Sequence, residues 1–386
     1  MTHSARRGIA VQGAGLGLAL LASVCLPYAL APIYTFPPLR PFTGAQWYNP
    51  YDSPPEATWH KANFHAHSIA WRGLTNGHQP AADVRAAYRK MGAEIAGISN
   101  YHAIDSTAAA DSTWIPTYEY GYSLSKTHRL ALGARSVNWL DFPLGATTSQ
   151  KQLILDRLRP TTGLTAINHP VMRHGHTVED LRQLGNYDLI EAMSSYGDSP
   201  AEWDAALSSG HAAWAIGSDD NHDITRIDLL GRVWTMVLTP STRTERVLTA
   251  LKQGRQYAVR GTAMHMDNDV RSVRMSGDTV AIVLTGAAKR IRFVGDGGRE
   301  LAVVRDAAEA TYVATRADSY VRIEVENAET VFWLNPVVRW DGTALSEPRA
   351  TVDAGATWAL RLGGLLGLGL VLRYALRFRR GARTAS

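Results

Sequence analysis

The sequence predicts an α/β protein with a parallel barrel at its centre, a small antiparallel β module after the barrel, and an apolar segment at each end. Short apolar segments alternate with helical patterns across residues 59–260, as in a barrel or a doubly wound sheet. Polar residues recur just after these strands, where a barrel builds its active site, and this favours the barrel. Across residues 261–345 the apolar residues alternate instead at period two.

The two ends of the chain carry apolar runs and clusters of arginine. The 386-residue chain has a formal charge of +5, and arginines lie before residue 8 and after residue 372. We interpret residues 1–31 as an N-terminal membrane anchor or signal segment and residues 356–377 as a C-terminal transmembrane helix, with an amphipathic surface helix as the alternative for the second. The positive-inside rule then predicts a protein of the inner membrane whose middle part lies outside the cytoplasm, in a periplasm.

Composition excludes several classes of site. Cys25 is the only cysteine, so a disulfide within the chain and a cysteine-based zinc site are excluded. The middle of the chain has no stripe of Lys and Arg with interleaved aromatic residues, so nucleic acid is not an expected partner.

The elements between the ends follow from local signals. Residues 32–58, rich in Pro, Tyr and Trp, are expected to be an irregular linker. After a strand that leads into His65 and His67, Pro80 starts a helix and Gly92 ends it. Further strands are expected at Glu94–Ser99, Ile115–Tyr120, Lys126–Gly133, Leu164–Asn168, Tyr187–Glu191, Ala212–Ile216 and Val233–Leu238, and further helices at Ser149–Arg159, Thr177–Leu184, Pro200–Ser209 and Arg243–Gln253.

The last part of the chain predicts a different architecture. Thr279–Leu284, Arg290–Val294 and Tyr320–Val325 alternate at period two and are separated by Gly and Asp. This pattern predicts a small antiparallel module, similar to a β-sandwich, packed against the barrel.

A His-x-His stretch at the start of the barrel region is a weak signal of chemistry by itself, and the His, Asp and Glu residues that occur just after later predicted strands strengthen it. On a strand, residues i and i+2 point to the same face, so His65 and His67 could hold one metal ion. Imidazole-rich sets suit Zn²⁺, Mn²⁺ or Fe²⁺, and the number of candidates implies two or three divalent ions. The candidate ligands are His65, His67, His102, Glu119, His128, His169, Asp220 and His222.

The order of these residues resembles the PHP (polymerase and histidinol phosphatase) superfamily across residues 59–260. The matching motifs are His65-x-His67, His102, Glu119, His128, His169-Pro170 and Gly217-Ser218-Asp219-Asp220-Asn221-His222. Two later stretches, Tyr320-Val321-Arg322 and Trp333-Leu334-Asn335-Pro336, resemble the C-terminal module of stand-alone PHP proteins, including the carbaryl-hydrolase-like branch.

The resemblance implies a distorted (βα)7 TIM-like barrel with a two- or three-metal site, in which Glu119, His128 and Asp220 are catalytic. By this analogy His65, His67, Glu119 and Asp220 surround one ion, Glu119, His128 and His169 hold a second, and His102 and His222 hold a third. Two positions depart from the family pattern. Tyr101 stands where the family has Asp, and Asn76, with His78 nearby, stands where it often has a ligand of the third ion.

Other polar residues have less specific interpretations. Asp219 could replace Asp220 as ligand, and Glu191 could support the site or form a hydrogen bond at the barrel rim. His174 and His176 are expected to be solvated loop residues. Arg72 and Arg173 are candidate substrate-binding residues, because a guanidinium can bind a phosphate through two parallel hydrogen bonds.

These features predict a membrane-anchored, metal-dependent phosphoesterase in which a metal-activated hydroxide attacks phosphorus. The apolar ends favour a small-molecule, lipid or envelope phosphoester as substrate, near the bilayer. Two alternatives stay open: a hydrolase of carboxylic esters, amides or carbamates that uses the same site, and a non-catalytic metal-binding membrane protein.

Overall fold

The computed structural model describes residues 24–345 and 349–384, and strands dominate them. The strands are β1 (Tyr34–Thr35), β2 (Gln46–Tyr48), β3 (Thr58–Asn63), β4 (Ile95–Ala96), β5 (Thr117–Tyr120), β6 (Arg129–Leu132), β7 (Leu164–Ile167), β8 (Leu189–Ser194), β9 (Trp214–Ser218), β10 (Val233–Thr239), β11 (Gln256–Arg260), β12 (Val270–Ser276), β13 (Thr279–Gly295), β14 (Arg299–Val313), β15 (Tyr320–Glu326), β16 (Val331–Trp340) and β17 (Thr351–Val352). The helices are α1 (24–30), α2 (Ala81–Lys90), α3 (Thr148–Leu158), α4 (Val178–Gln183), α5 (Pro200–Ser208), α6 (Thr244–Lys252) and α7 (Ala354–Thr384).

Local sequence signals explain where the helices begin and end. The Thr147 side chain accepts a hydrogen bond from the Gln150 N–H, and the Gln150 side chain accepts one from the Thr147 N–H, which starts α3 with a capping box. Thr177 and Asp180 form the same pair at the start of α4. Helix α2 begins directly after Pro80 and ends two residues before Gly92, whose φ is +88°. These three helices agree with the sequence predictions.

One long sheet runs through both halves of the chain. Its strands lie in the order β12, β13, β15, β16, β11, β10, β3 and β4, with β14 on β13 and β2 on β16. Neighbours are antiparallel except for β3 with β4. Because β16 pairs with β11, the antiparallel module is continuous with the sheet that contains β3. The domain boundary predicted after residue 260 therefore falls at the end of β11, inside this sheet.

A second sheet supplies the other strands around the candidate site. Its order is β5, β6, β7, β8 and β9. Strands β5, β6 and β7 pair antiparallel, whereas β7, β8 and β9 pair parallel, with α4 and α5 as their crossovers. The two sheets meet through isolated bridges between Ala66 and Asn221 and between Tyr101 and Glu119.

The predicted parallel barrel, including the distorted (βα)7 form that the resemblance implied, is wrong for the described part of the chain. Strand β6 returns antiparallel beside β5 after a short loop that contains no helix. Strand β6 is also antiparallel to β7, and β10 runs antiparallel to β3, so the strands around the site are not a parallel set. The apolar periodicity correctly predicted the positions of most strands, but periodicity does not encode the direction in which a strand pairs.

A buried ion pair joins the β module to helix α5. Arg322 Nε and Nη2 donate to the two carboxylate oxygens of Asp204 at 2.7 and 2.8 Å. The hydroxyl of Tyr320 donates to the same carboxylate at 2.8 Å, and the guanidinium carbon lies 4.9 Å from the centroid of the Trp203 ring. This network fixes β15 against α5.

The predicted transmembrane helices are not supported. Helix α7 covers residues 356–377, but Arg361 and Arg373 interrupt its apolar sequence. Among the residues described, no helix combines the length and the apolar character needed to cross a membrane. The N-terminal anchor was predicted for 1–31, and residues 1–23 lie outside the described residues. The location outside the cytoplasm depended on these two segments and stays a prediction.

Residues 32–58 pack along the domain instead of forming a wholly irregular linker. Strand β1 pairs with β17, and β2 pairs with β16. Phe42 and Tyr51 are buried. The Pro-rich composition agrees with the scarcity of regular structure here, whereas the two short strands were not predicted.

Candidate metal centre

The His-x-His segment directly follows β3 and lies against the end of β9. The His67 N–H donates to the Asn221 carbonyl oxygen at 2.8 Å. Both imidazoles face the carboxylate of Asp220, whose Oδ1 lies 3.1 Å from His65 Nε2 and 3.0 Å from His67 Nε2. The two Nε2 atoms are 3.3 Å apart. The two side chains therefore point to the same place, as expected for i and i+2 in an extended segment.

Glu119 on β5 belongs to two groups of potential ligands. Its Oε1 lies 3.3 Å from His65 Nε2, and its Oε2 lies 3.1 Å from His67 Nε2. On the other side, Oε1 lies 2.8 Å from His128 Nδ1 and 3.3 Å from His169 Nε2. One group is His65, His67, Glu119 and Asp220, and the other is Glu119, His128 and His169.

Residues of the cluster that follow strands have unusual backbone dihedral angles. His169 and Asp220 follow β7 and β9 with φ values of +28° and +48°, which are uncommon for residues other than glycine. Gly121 has φ +126°, and a Cβ at this position would lie 2.7 Å from Cδ2 of His128. Only glycine therefore fits at position 121 without displacing the His128 ring.

In the cluster, burial and neighbouring charges shift the pKa values in opposite directions, and the effect of the charges is larger for the two carboxylates. The six side chains are buried, which would raise a carboxyl pKa and lower an imidazole pKa. Despite its burial, Glu119 has a pKa held well below the usual range by His128 and His65. Against the effect of burial, Asp220, Glu191 and Glu119 raise the pKa of His65 well above its ordinary value. Both carboxylates, Glu119 and Asp220, therefore favour the ionised form that a metal ligand needs.

The donor set fits divalent metal ions. Two ligands of one ion, each about 2.0–2.2 Å from it, lie about 3.0–3.5 Å apart. In the group of His65, His67, Glu119 and Asp220, each histidine Nε2 lies 3.0–3.3 Å from the other Nε2 and from the nearest carboxylate oxygens. His128 Nε2 is buried and finds no hydrogen-bond partner among the described residues, and Glu119 Oε2 and Asp220 Oδ1 are buried oxygens that face imidazole nitrogens at 3.0–3.1 Å. Such atoms are costly unless they are satisfied, and bound cations would satisfy them.

Glu191 forms hydrogen bonds with two residues of the cluster, His65 and His169. Its Oε1 lies 2.7 Å from His65 Nδ1, and its Oε2 accepts the His169 N–H at 2.9 Å. An Nδ1–H donated to Glu191 leaves Nε2 of His65 to face the cluster, which is the usual arrangement of a carboxylate behind a metal-binding histidine. Asn168 similarly donates to Glu119 Oε1 at 3.1 Å.

The structure distinguishes Asp220 from its neighbour Asp219. Asp219 accepts hydrogen bonds from the Tyr88 hydroxyl at 2.6 Å and from the Gly231 N–H at 2.7 Å. Burial raises the pKa of Asp219 to about 7. Asp219 therefore supports the loop after β9, whereas Asp220 faces the two histidines.

The two histidines predicted to hold a third ion lie outside both groups. His222 stacks on His67, with ring centroids 4.2 Å apart, and its Nε2 lies 3.3 Å from Asp220 Oδ1. The Nδ1–H of His102 donates to the Asn138 carbonyl at 3.0 Å, and its Nε2 accepts the Gly121 N–H at 3.0 Å. Since both ring nitrogens of His102 are used by the backbone, this structure does not support a ligand role for His102.

Two tyrosines that the sequence analysis did not assign to the site lie over the cluster. The Tyr101 ring lies 4.6 Å from the His67 ring and 5.4 Å from the His128 ring, measured between centroids. Tyr196 lies 6.1 Å from His169. Burial raises both pKa values, that of Tyr196 to about 12, and Asp220 and Glu119 add to the effect. In the sequence, the signal that could have identified Tyr101 as a site residue was its position next to His102.

The remaining candidates lie on loops. Arg72 and Arg173 are exposed, and Arg173 Nη1 donates to the Leu124 carbonyl at 3.4 Å. Their binding of substrate stays a prediction. His78 is exposed near Asp223, outside both ligand groups. His174 is exposed, as expected, whereas His176 is buried.

The cluster is thus a candidate centre for metal-dependent chemistry. No protein-family model matches the chain, and no curated protein matches it. A solved structure from Bacteroides vulgatus ATCC 8482, described as a two-domain protein containing a predicted PHP-like metal-dependent phosphoesterase, is similar at 13% sequence identity and a TM-score of 0.44. That match covers 82% of this chain and 99% of the other.

Proposed function

We propose that this protein is a metal-dependent hydrolase of phosphoric esters that uses two divalent ions. The observation that carries the proposal is the carboxylate of Glu119, which is shared by two buried ligand groups. Centres that hold two adjacent ions are typical of enzymes that displace groups at phosphorus, including phosphatases and nucleases. When bound, such ions activate water and offset the charge that develops on the phosphoryl oxygens.

In this proposal the ligand residues form two sets, one for each ion. His65, His67, Asp220 and Glu119 would hold one ion, and Glu119, His128 and His169 would hold the other. Glu191 orients His65 through the bond to Nδ1. This assignment uses two ions, because neither His102 nor His222 belongs to a ligand group.

Tyr101 and Tyr196 serve as donors to the substrate in this proposal. Because burial raises their pKa values, both phenols are protonated at neutral pH. Their rings lie beside the histidines of the two groups, within reach of a ligand bound there. A protonated phenol can donate a hydrogen bond to a phosphoryl oxygen but cannot act as a base at this pH.

The test is a substrate panel on the full chain after reconstitution with Zn²⁺ or Mn²⁺. Chromogenic phosphate monoesters, phosphate diesters, carboxylic esters and carbamates are compared, with His65→Ala as the inactive variant and the exposed His78→Ala as its control. We expect turnover of a phosphate ester that requires metal, is lost in His65→Ala and persists in His78→Ala. A metal-loaded protein that cleaves only the carbon esters, or none of the probes, would overturn the proposal.

A further inference from the structure

Six large apolar side chains on three loops are exposed, and we call them the apolar rim: Trp71, Leu74, Tyr122, Leu124, Trp139 and Leu144. They are unusually exposed for their size. Leu74 is 89% exposed, Trp139 is 56% exposed, and Trp71 is 45% exposed. Single exposed apolar residues are ordinary, but a contiguous group marks a surface that binds something apolar.

The apolar rim is joined to the metal centre by direct contacts. The indole N–H of Trp71 donates to the backbone carbonyl of Tyr101 at 2.7 Å, and the ring of Tyr101 lies against His67. Trp71 contacts Trp139 edge-on, with ring centroids 5.7 Å apart, and Trp139 stacks on His102 at 5.2 Å. A ligand that passes Tyr101 to reach the two groups of metal ligands would therefore lie beside the indole rings of Trp71 and Trp139.

The loops that carry the rim are positively charged. The rim residues lie on loops 68–79, 121–127 and 137–145, which include Arg72 and Lys126, and Arg173 of loop 170–177 donates to the Leu124 carbonyl of the second of them. Their only acid is Asp141, which is buried and accepts the backbone N–H groups of Tyr122 and Phe142. The surface is thus complementary to a ligand that is both apolar and anionic.

The same loops hold their side chains in a strained backbone conformation. Trp71, Arg72, Lys126 and Arg173 have φ values between +48° and +58°, although none is glycine. Non-glycine residues in this region of φ cost free energy and are concentrated at sites that bind ligands. The strain therefore falls on the aromatic and cationic residues that a ligand would meet.

The apolar surface extends beyond the immediate surroundings of the cluster. The Tyr28 hydroxyl accepts the Leu144 N–H at 2.7 Å, which places α1 next to the rim, and Leu26 and Leu30 of α1 are exposed. Arg361 of α7 donates to the Leu30 carbonyl at 2.6 Å, and the neighbouring Trp358 is exposed. So broad an apolar surface suits a lipid layer better than a single small molecule.

We propose that the apolar rim docks the protein on an anionic phospholipid bilayer and that the substrate is a phospholipid of that surface. The acyl chains meet Trp71, Leu74 and Trp139, the cations meet the headgroups, and the phosphate enters the metal centre. Aromatic and cationic side chains in one surface are typical of proteins that bind at the bilayer interface. The assignment of the substrate rests on the proposed function, whereas the docking surface does not.

The test measures vesicle binding separately from turnover. The full chain is sedimented with vesicles of phosphatidylcholine alone and of phosphatidylcholine mixed with phosphatidylglycerol. The rim variant is Trp71→Ala, Leu74→Ala and Trp139→Ala combined, and the charge variant is Arg72→Gln, Lys126→Gln and Arg173→Gln combined. Val313→Ala and Arg271→Gln, exposed residues of the β module, are the matched controls. Metal content and thermal unfolding establish that each variant is folded.

We expect the charge variant to bind the anionic vesicles about a hundredfold more weakly, and the rim variant at least about tenfold more weakly. The controls should bind as the parent does. Turnover of vesicle phospholipid should fall further in the rim variant than turnover of a soluble phosphate diester. Vesicle binding that is unchanged in both variants overturns the inference, as does a rim-dependent dimer that binds no vesicle. A metal-loaded parent without phosphoester turnover overturns the proposed function, and the binding measurement still decides the role of the rim.

Discussion

Replacing Glu191 with glutamine should weaken metal binding while leaving the fold intact. Both carboxylate oxygens of Glu191 accept hydrogen bonds, from His65 Nδ1 at 2.7 Å and from the His169 N–H at 2.9 Å. Glutamine has the same shape but only one acceptor oxygen, so its amide NH2 must face one of these two donors. One hydrogen bond is lost, and the negative charge that favours the His65 tautomer is removed.

The expected loss in metal affinity is about 10- to 100-fold, the usual effect of changing a carboxylate behind a metal-binding histidine. This corresponds to roughly 1.4–2.7 kcal/mol of binding free energy. His65 serves the first ion group and the His169 backbone positions the second, so both ions should be affected. The measurement is a titration of the metal-free full chain with Zn²⁺ or Mn²⁺ in competition with a chromogenic chelator.

Glu179→Gln is the matched control, because Glu179 is an exposed residue in the first turn of α4. This variant should bind metal as the parent does. The reasoning is refuted if Glu191→Gln binds both ions with parental affinity, because the hydrogen bonds of Glu191 would then have no influence on the ligands.

Three further changes test other parts of the structure. Asp204→Ala leaves Arg322 buried without the carboxylate that binds both its Nε and Nη2, so it should lower the free energy of unfolding by about 3–5 kcal/mol in denaturant titrations. Asp318→Asn should cost roughly 1–3 kcal/mol at pH 7, because Asp318 accepts hydrogen bonds from Thr315, Tyr312 and Arg299 that hold its pKa below the usual 3.8 despite its burial. A carboxyl group whose pKa is lower in the folded state stabilises the fold above the unfolded pKa, and this stabilisation is lost as the pH falls through the folded pKa. The difference in free energy of unfolding between the parent and the variant should therefore shrink below pH 3.8. A difference that does not depend on pH would contradict this explanation. Gly121→Ala adds a Cβ 2.7 Å from the His128 ring at a φ of +126°, so elemental analysis should find the second ion depleted and the first retained, whereas full occupancy of both would count against the assigned geometry.

The candidate site was more predictable from the sequence than the fold. His65, His67, Glu119, Asp220, His128 and His169 were selected because they lie on or just after predicted strands and because their order resembles the PHP superfamily, and the structure brings all six together. The i, i+2 spacing of the first two residues fixes a common face on any extended segment, whichever sheet contains it. Strand position and motif order located these six residues, but the same criteria also selected His102 and His222, which lie outside both ligand groups.

The errors concern interactions between distant segments. The direction of β6 beside β5 and of β10 beside β3 depends on pairing across the chain, which an apolar pattern does not encode. The same holds for β16, which joins the module to the main sheet. His102 and Tyr101 are adjacent in the sequence, but in the structure Tyr101 lies against His67, whereas His102, with a φ of +48°, bonds to the Asn138 carbonyl.

The most direct test of the metal centre is the number of transition ions bound by each full-length chain. The parent and the His65→Ala, His67→Ala double variant are reconstituted, dialysed and measured by elemental analysis, with His78→Ala as the control. The shared-glutamate cluster predicts two ions per chain in the parent and the control, and the loss of at least one in the double variant. A parent that retains no metal after reconstitution, or a double variant that retains both ions, would contradict the assignment.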